Sequence, residues 1–209
     1  MPPLRADDCL VVVDLQNDFL PGGSLAVADG DAVIAPIERL AARFPNVVLT
    51  QDWHPADHVS FASNHPGKQP FETIELDYGT QVLWPTHCVQ GTAGAEFHGE
   101  LEITRANLVV RKGFRRGIDS YSALFENDHR TPTGLLGYLR ERELKTVFIA
   151  GLALDFCVRF SAEDARKAGF EVAVIEDACR GIDLDGSVAA THRSFRERGI
   201  SIVSLEALL

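Results

Sequence analysis

The 209-residue chain carries a formal net charge of −10, with 45% hydrophobic and 24% charged residues. This length and balance are typical of a globular protein with one domain and one substantial core. The acidic charge excludes nucleic-acid binders that depend on a basic patch, and no apolar run approaches the ~20 residues of a membrane span.

The N-terminal residues and the cysteines indicate the cellular compartment of the protein. The chain begins without the basic segment and long apolar run of a secretory leader, so we expect none. The four cysteines show no paired CxxC spacing; they are Cys9, Cys88, Cys157 and Cys179. We therefore predict a reduced, cytoplasmic protein with no disulfide framework and no structural zinc knot.

Six short runs, apolar at nearly every position, predict strands buried on both faces of a parallel sheet. They cover residues 9–14, 46–52, 108–112, 146–150, 171–176 and 200–203. Helical spacing covers residues 31–44, 134–143, 155–169 and 187–198, with Asp31 and Ser187 as candidate N-caps. This alternation predicts an α/β fold, a six-stranded parallel sheet with helices on both faces in three layers.

Residues 53–107 do not continue this alternation of predicted strands and helices. They contain many prolines and glycines together with five of the seven histidines. A crossover of this length without clear helical periodicity is usually functional. We therefore predict a single domain over residues 1–209, in which residues 53–107 form a long, metal-binding, lid-like insertion.

Chemically active side chains follow four of the predicted strands. Asp14 ends the first strand, Asp52 the second and Lys112 the third, and Cys157 lies just beyond the fourth. Ligands of parallel α/β sheets bind outside the carboxyl ends of the strands. We therefore expect two carboxylates, an amine and a thiol to meet at one edge of the sheet.

Asp14, Lys112 and Cys157 have the chemistry of nucleophilic catalysis. Cys157 lies in the first turn of a predicted helix, where the N-terminal dipole and a cation such as Lys112 favour a thiolate. Asp14 can accept the thiol proton and later return it to a leaving group. The alternative is a buried Asp–Lys ion pair beside a packed cysteine, although the desolvation of such a pair makes it a weak source of stability.

Asp52 and His54 are two residues apart, so in an extended chain their side chains point the same way. With His87 they form a mixed carboxylate and imidazole set that suits zinc, iron(II) or manganese. His58 and His65 are rival third ligands on spacing alone, and Cys88 is a thiolate rival.

The small-residue turn at residues 151–154 can supply the backbone N–H donors that acyl transfer also requires. Together with the N–H of Cys157 its backbone donors can form an oxyanion hole. The alternative is an ordinary tight connection between a strand and a helix.

Five segments, in order along the chain, carry a family resemblance. They are VVVDLQNDFLPGGSLAV, TQDWHPADHVSF, WPTHCVQGTAGAEFH, VRKGFRRGIDSYSALF and IAGLALDFCVRFSAEDA. From about Asp14 to its end the chain resembles the nicotinamidase/pyrazinamidase family of the isochorismatase-like hydrolases. The resemblance implies hydrolysis of nicotinamide to nicotinate and ammonia through a cysteine thioester in NAD salvage, with pyrazinamide as a further substrate.

The resemblance also implies roles for individual residues. It makes Asp14, Lys112 and Cys157 catalytic, and it makes Asp52, His54 and His87 the ligands of one divalent metal, zinc first, with iron or manganese as alternatives. It places a cis peptide bond at Leu152–Ala153 and the N–H groups of Ala153 and Cys157 on the oxyanion. It assigns Phe19, Trp84 and Tyr121 to the substrate pocket, for which core packing is the alternative, and His58 as a further ligand.

Three rival functions are distinguished by these residues. Cysteine amidases acting on carbamoyl or ureido substrates generally lack the Asp-x-His and His metal set, and isochorismatase itself does not require the cysteine. A non-enzymatic binding module would lack at least one member of the Asp, Lys and Cys set. The expected partner is the small-molecule substrate, without nucleic acid or membrane, and assembly into a homo-oligomer is left open.

Overall fold

A six-stranded parallel sheet forms the centre of the computed structural model, which describes residues 4–209. Its strands are β1 (Asp8–Val13), β2 (Asn46–Asp52), β5 (Leu108–Lys112), β6 (Thr146–Leu152), β7 (Glu171–Arg180) and β8 (Ser201–Val203); β3 (Thr73–Leu76) and β4 (Gly79–Val82) form a separate antiparallel hairpin. The order across the sheet is β5-β2-β1-β6-β7-β8, which confirms the predicted six-stranded parallel sheet.

Four α-helices cover the two faces of the sheet. They are α1 (Ile34–Ala41), α2 (Leu135–Glu141), α3 (Arg159–Lys167) and α4 (Ser187–Arg198). The chain runs from β1 outward to β2 in one direction, and from β6 outward to β7 and β8 in the other. Because parallel crossovers are right-handed, this reversal puts α1 on one face and α3 with α4 on the other. Within residues 4–209, every helix is too short or too polar to cross a bilayer.

Burial on both faces explains why the strands could be predicted. Every residue of β1 and of β2 is buried, and β6 is buried from Val147 onward. Strands covered by helices on both sides are apolar at consecutive positions instead of alternating with polar residues.

Several boundaries differ from the prediction. Strand β7 continues to Arg180 past the polar pair at Glu176 and Asp177, with an irregularity in its pairing to β6. Ser187 does not cap α4, because the N-cap is Gly186. Asp31 lies inside a 3-10 turn, Gly30–Val33, that precedes α1.

The crossover from β2 to β5, residues 53–107, contains the β3–β4 hairpin and short 3-10 turns. The hairpin was not predicted, because its short strands are largely exposed and lack a continuous apolar run. Strand order reverses between β1 and β6, and such a switch point is where open α/β sheets bind ligands.

Candidate active site and metal centre

The switch point brings Asp14, Lys112 and Cys157 together, as the sequence predicted. Asp14 directly follows β1 with a φ of 50°, Lys112 is the last residue of β5, and Cys157 lies in a π-helical turn, Leu154–Val158, after β6. Lys112 Nζ lies 2.8 Å from Asp14 Oδ2 and 3.3 Å from Cys157 Sγ. Asp14 and Lys112 are fully buried, and Cys157 is 7% exposed.

The hydrogen bonds of Lys112 leave one oxygen of Asp14 available. The ammonium donates to Asp52 Oδ1 at 2.5 Å, to the Ser120 carbonyl at 3.0 Å and to Cys157 Sγ. Thr50 Oγ1 donates to Asp14 Oδ1 at 2.5 Å. Asp14 Oδ2 contacts the ammonium at 2.8 Å and accepts a hydrogen bond from no other described residue. This buried oxygen therefore keeps a lone pair for a proton.

Burial and charge set the proton affinities of this group. Burial raises the pKa of Asp14, and Lys112 only partly offsets it. Burial likewise raises the pKa of the Cys157 thiol well above its ordinary value, again opposed by Lys112. Burial alone would lower the pKa of Lys112, but Asp14 and Asp52 outweigh it and raise that pKa well above its usual value. The lysine is therefore held charged, and Asp14 and the thiolate each have a higher proton affinity than they would have in water.

The predicted cis peptide bond is present between Leu152 and Ala153. The π-helical turn that follows is closed by the Val158 N–H, which donates to the Ala153 carbonyl at 3.1 Å. Ala153 and Cys157 both line the same cavity, so this turn forms one of its walls. The use of their N–H groups as an oxyanion hole stays a prediction.

Beside this cluster, Asp52, His54 and His87 converge as a set of metal donors. Asp52 Oδ2 lies 3.4 Å from His54 Nε2 and 3.8 Å from His87 Nε2. Two ligand atoms that each lie ~2.0–2.1 Å from a tetrahedral zinc are about 3.4 Å apart. The two distances from Asp52 are close to this value, and all three donor atoms lie within 4.8 Å of one another, so the group can hold a divalent metal.

Backbone contacts fix which nitrogen each of these histidines presents. His54 Nδ1 is 2.8 Å from the Gly113 carbonyl, and His87 Nδ1 is 2.8 Å from the Pro85 carbonyl. Since a carbonyl only accepts, each Nδ1 carries a proton, which leaves Nε2 as the ring nitrogen that faces Asp52. Burial would raise the pKa of Asp52, but Lys112 and His54 outweigh it and hold that pKa well below its usual range.

The alternative metal ligands considered from sequence, His58, His65 and Cys88, lie outside the group formed by Asp52, His54 and His87. His58 uses both ring nitrogens, with Nδ1 2.7 Å from Ser60 Oγ and Nε2 3.1 Å from the Ile118 carbonyl. It also lies close enough to His54 and Asp119 to form a second donor group that shares His54, so its role as a ligand stays a prediction. Among the described residues, neither His65 nor Cys88 belongs to a candidate donor group.

A partly open cavity contacts both Cys157 and the metal donors. Phe19, Trp84 and Tyr121 line it, and their contact with a substrate stays a prediction. Trp84 Nε1 donates to Tyr121 Oη at 3.1 Å, which fixes the two rings relative to each other. The aromatic lining suits a small, flat ring.

Four further lining residues were not assigned to the pocket from sequence; they are Leu25, Asp119, Phe156 and Ile182. Ile182 follows the carboxyl end of β7, and the rule that ligands bind at strand ends would have indicated it had the strand been extended to Arg180. Phe156 adjoins the nucleophile, whereas Leu25 lies in a glycine- and proline-rich loop where no sequence signal marks it.

The family model for the isochorismatase domain matches residues 8–207 of this chain. The chain belongs to the isochorismatase family. Among curated proteins, the nicotinamidase of Acinetobacter baylyi is 54% identical over 206 residues, covering 98% of this chain and 96% of that protein.

Solved structures of isochorismatase-like proteins share the whole fold. The structure titled as a nicotinamidase and pyrazinamidase of Acinetobacter baumanii has a TM-score of 0.97 and 59% identity, covering 98% of this chain and 99% of that one. L. infantum PnC1 in complex with nicotinate has a TM-score of 0.87 and 39% identity, covering 99% and 98%. Pyrococcus horikoshii pyrazinamidase in complex with zinc has a TM-score of 0.77 and 35% identity, covering 95% and 99%.

Proposed function

We propose that this protein is a nicotinamidase, an amidohydrolase that converts nicotinamide to nicotinate and ammonia in NAD salvage. The observation that carries the proposal is the buried contact of Lys112 with both Asp14 and Cys157, beside a metal-donor set and an aromatic cavity. The curated nicotinamidases that resemble the chain over most of its length support the same substrate.

Asp14 and Cys157 carry out the first half of the proposed reaction. The thiol proton passes to Asp14, whose Oδ2 contacts only the Lys112 ammonium among the described residues, and the sulfur attacks the carboxamide carbon. Lys112 stabilises the negative charge on the sulfur during the transfer, because its ammonium lies 3.3 Å away. A C–S bond forms, the C–N bond breaks, and ammonia leaves with the proton that Asp14 returns.

The second half reverses these roles. Asp14 takes a proton from water, the water oxygen attacks the thioester carbon, and the C–S bond breaks. The thiolate takes back the proton held by Asp14, and the acid product leaves and loses its carboxyl proton to give nicotinate. In both halves the N–H groups of Ala153 and Cys157 stabilise the oxyanion, a contribution that is typically worth ~10²–10³ in rate per donor.

The cavity orients the ring of the substrate. Phe19, Trp84 and Tyr121 present aromatic faces and edges to a flat heterocycle, and the carboxamide then lies next to the sulfur. Pyrazinamide has nearly the same shape, so we propose it as a second substrate.

We propose that Asp52, His54 and His87 hold one divalent ion, with zinc as the first candidate and iron or manganese as alternatives. When bound there, the ion supplies a Lewis acid that can hold the pyridine nitrogen and so orient the ring. The three side chains are buried and line the cavity that would hold the ring.

The chain is proposed to act as a single domain, in which residues 53–107 serve as a metal-binding, lid-like insertion. This crossover supplies His54, Trp84 and His87 to the cavity and so supports that role. We also propose that the enzyme works in the cytoplasm, which is consistent with its four free, buried cysteines.

The test is ammonia release by the purified protein, with its metal content measured on the same sample. We expect turnover of nicotinamide and pyrazinamide, about one divalent ion per chain, and no turnover of an N-carbamoyl amino acid. Turnover of the carbamoyl compound in preference to nicotinamide would favour the rival amidase function.

A further inference from the structure

Asp155 is a buried carboxylate that the proposed reaction does not use. It is 1% exposed, and its Oδ1 accepts the Ile182 N–H at 2.9 Å. Its Oδ2 accepts the Asp183 N–H at 2.8 Å and the Ser187 hydroxyl at 2.5 Å. All three donors belong to residues 181–187. Their hydrogen bonds offset the cost of burying the Asp155 carboxylate.

The carboxylate connects the nucleophile to another wall of the cavity. Asp155 lies in the π-helical turn between Ala153 and Cys157, whereas Ile182 lines the cavity from the segment after β7. A Cβ added to Gly181 would come within 3.1 Å of Asp155 Oδ1, so the segment packs directly against the carboxylate.

The backbone of this segment needs an external anchor. Asp183 and Asp185 both adopt left-handed conformations, with φ of 57° and 51°. Non-glycine residues in this region persist when surrounding contacts hold them. The bonds from Asp155 to two consecutive N–H groups supply such contacts at the point where Ile182 reaches the cavity.

We propose that Asp155 is a positioning residue that holds the Ile182 wall in place relative to Cys157, and so sets the affinity for the aromatic ring of the substrate. The identity of that ring rests on the proposed function. Asp155 acts through Ile182 and does not touch the reacting amide, which predicts an effect on binding with little effect on chemistry.

The test compares Asp155→Ala with Asp185→Asn, a control that changes an exposed carboxylate of the same segment. We expect Asp155→Ala to raise the KM for nicotinamide about tenfold with kcat within about threefold, the pattern of a lost binding interaction. The rate at which iodoacetamide alkylates Cys157, followed by peptide mass spectrometry, should be unchanged, because that small reagent does not need the ring wall. The control should match the wild type in all three quantities.

Hydrogen exchange gives a readout that does not depend on turnover. Amides of the peptide covering residues 181–188 should exchange faster in Asp155→Ala and at the wild-type rate in Asp185→Asn. Ser187→Ala removes a single donor and serves as the milder variant if Asp155→Ala does not fold; it should raise KM by a smaller factor.

An unchanged KM, or a fall in kcat accompanied by slower alkylation of Cys157, would overturn the positioning role. Failure of the wild-type protein to release ammonia from nicotinamide would instead overturn the proposed function, while the exchange experiment would still test the anchoring of residues 181–188.

Discussion

Lys112 Nζ lies 3.3 Å from Cys157 Sγ, although the two residues leave the sheet from strands that are not neighbours. Lys112 ends β5 at one edge, Cys157 follows β6, and β2 and β1 lie between these strands. The same ammonium contacts Asp14 at 2.8 Å, so one buried cation faces both groups that exchange a proton in the proposed reaction.

Asp14→Asn tests the proton acceptor. The amide has nearly the same shape but cannot take the thiol proton, so we expect kcat for ammonia release to fall by roughly 10²–10⁴. Metal content should match the wild type, because Asp14 is not among the proposed metal ligands. Asp52→Asn is the matched variant, and it should lose both metal and activity. An Asp14→Asn enzyme with turnover within a factor of a few of the wild type would contradict the assigned role.

Lys112→Met tests the buried cation. Without the ammonium, Asp14 and Asp52 face each other unpaired in the interior, so we expect a loss of roughly 3–5 kcal/mol in the free energy of unfolding. Adding Asp14→Asn to Lys112→Met removes one of the two buried charges and should recover part of this loss. Denaturant unfolding of both variants measures the coupling, and equal stabilities would mean that the carboxylates do not depend on Lys112.

Gly113→Ala tests how the backbone positions His54. Gly113 has a φ of +64°, and a Cβ there would overlap the His54 ring at Cε1. The imidazole must move, so we expect zinc affinity to fall by about 10–100-fold, as for other disturbed ligand supports. Gly117→Ala is the control, because a Cβ at that position meets nothing within 4 Å. Competition with a chelator measures both variants, and equal zinc affinities would show that His54 is not held by this contact.

His87→Asn and His58→Asn separate the proposed ligand from its neighbour. Asparagine places a nitrogen near the position of Nδ1 but has no atom at Nε2, so His87→Asn keeps a donor for the Pro85 carbonyl and loses the metal-facing atom. We expect His87→Asn to lose zinc. His58→Asn should keep zinc, because the nitrogens of His58 already bond Ser60 and Ile118. Loss of zinc in the His58 variant alone would favour the donor group that contains Asp119.

The sequence was most informative where burial imposes a simple pattern. Strands β1, β2 and β6 are buried on both faces, so their apolar runs were visible, and their carboxyl ends led directly to Asp14, Asp52 and Cys157. The order of the strands places these ends at one switch point, and the family resemblance assigned the same residues.

The sequence was less informative where tertiary contacts override local signals. Serine is a residue type that is common at N-caps, but the Ser187 hydroxyl donates to Asp155, a partner 32 residues earlier in the chain. Ile182 was not predicted to line the cavity, because β7 continues beyond a polar pair that resembles a strand end. Such contacts depend on residues distant in sequence, which no local pattern reveals.

Ammonia release from nicotinamide by metal-loaded Cys157→Ala is the measurement that tests the central claim most directly. Cys9→Ala, which changes another buried cysteine, serves as the control. If Cys157 forms the thioester, the Cys157→Ala protein will fold and bind metal but release no ammonia above the rate in buffer, while the control will retain turnover. Release by Cys157→Ala at a rate near that of the wild type would contradict the covalent mechanism.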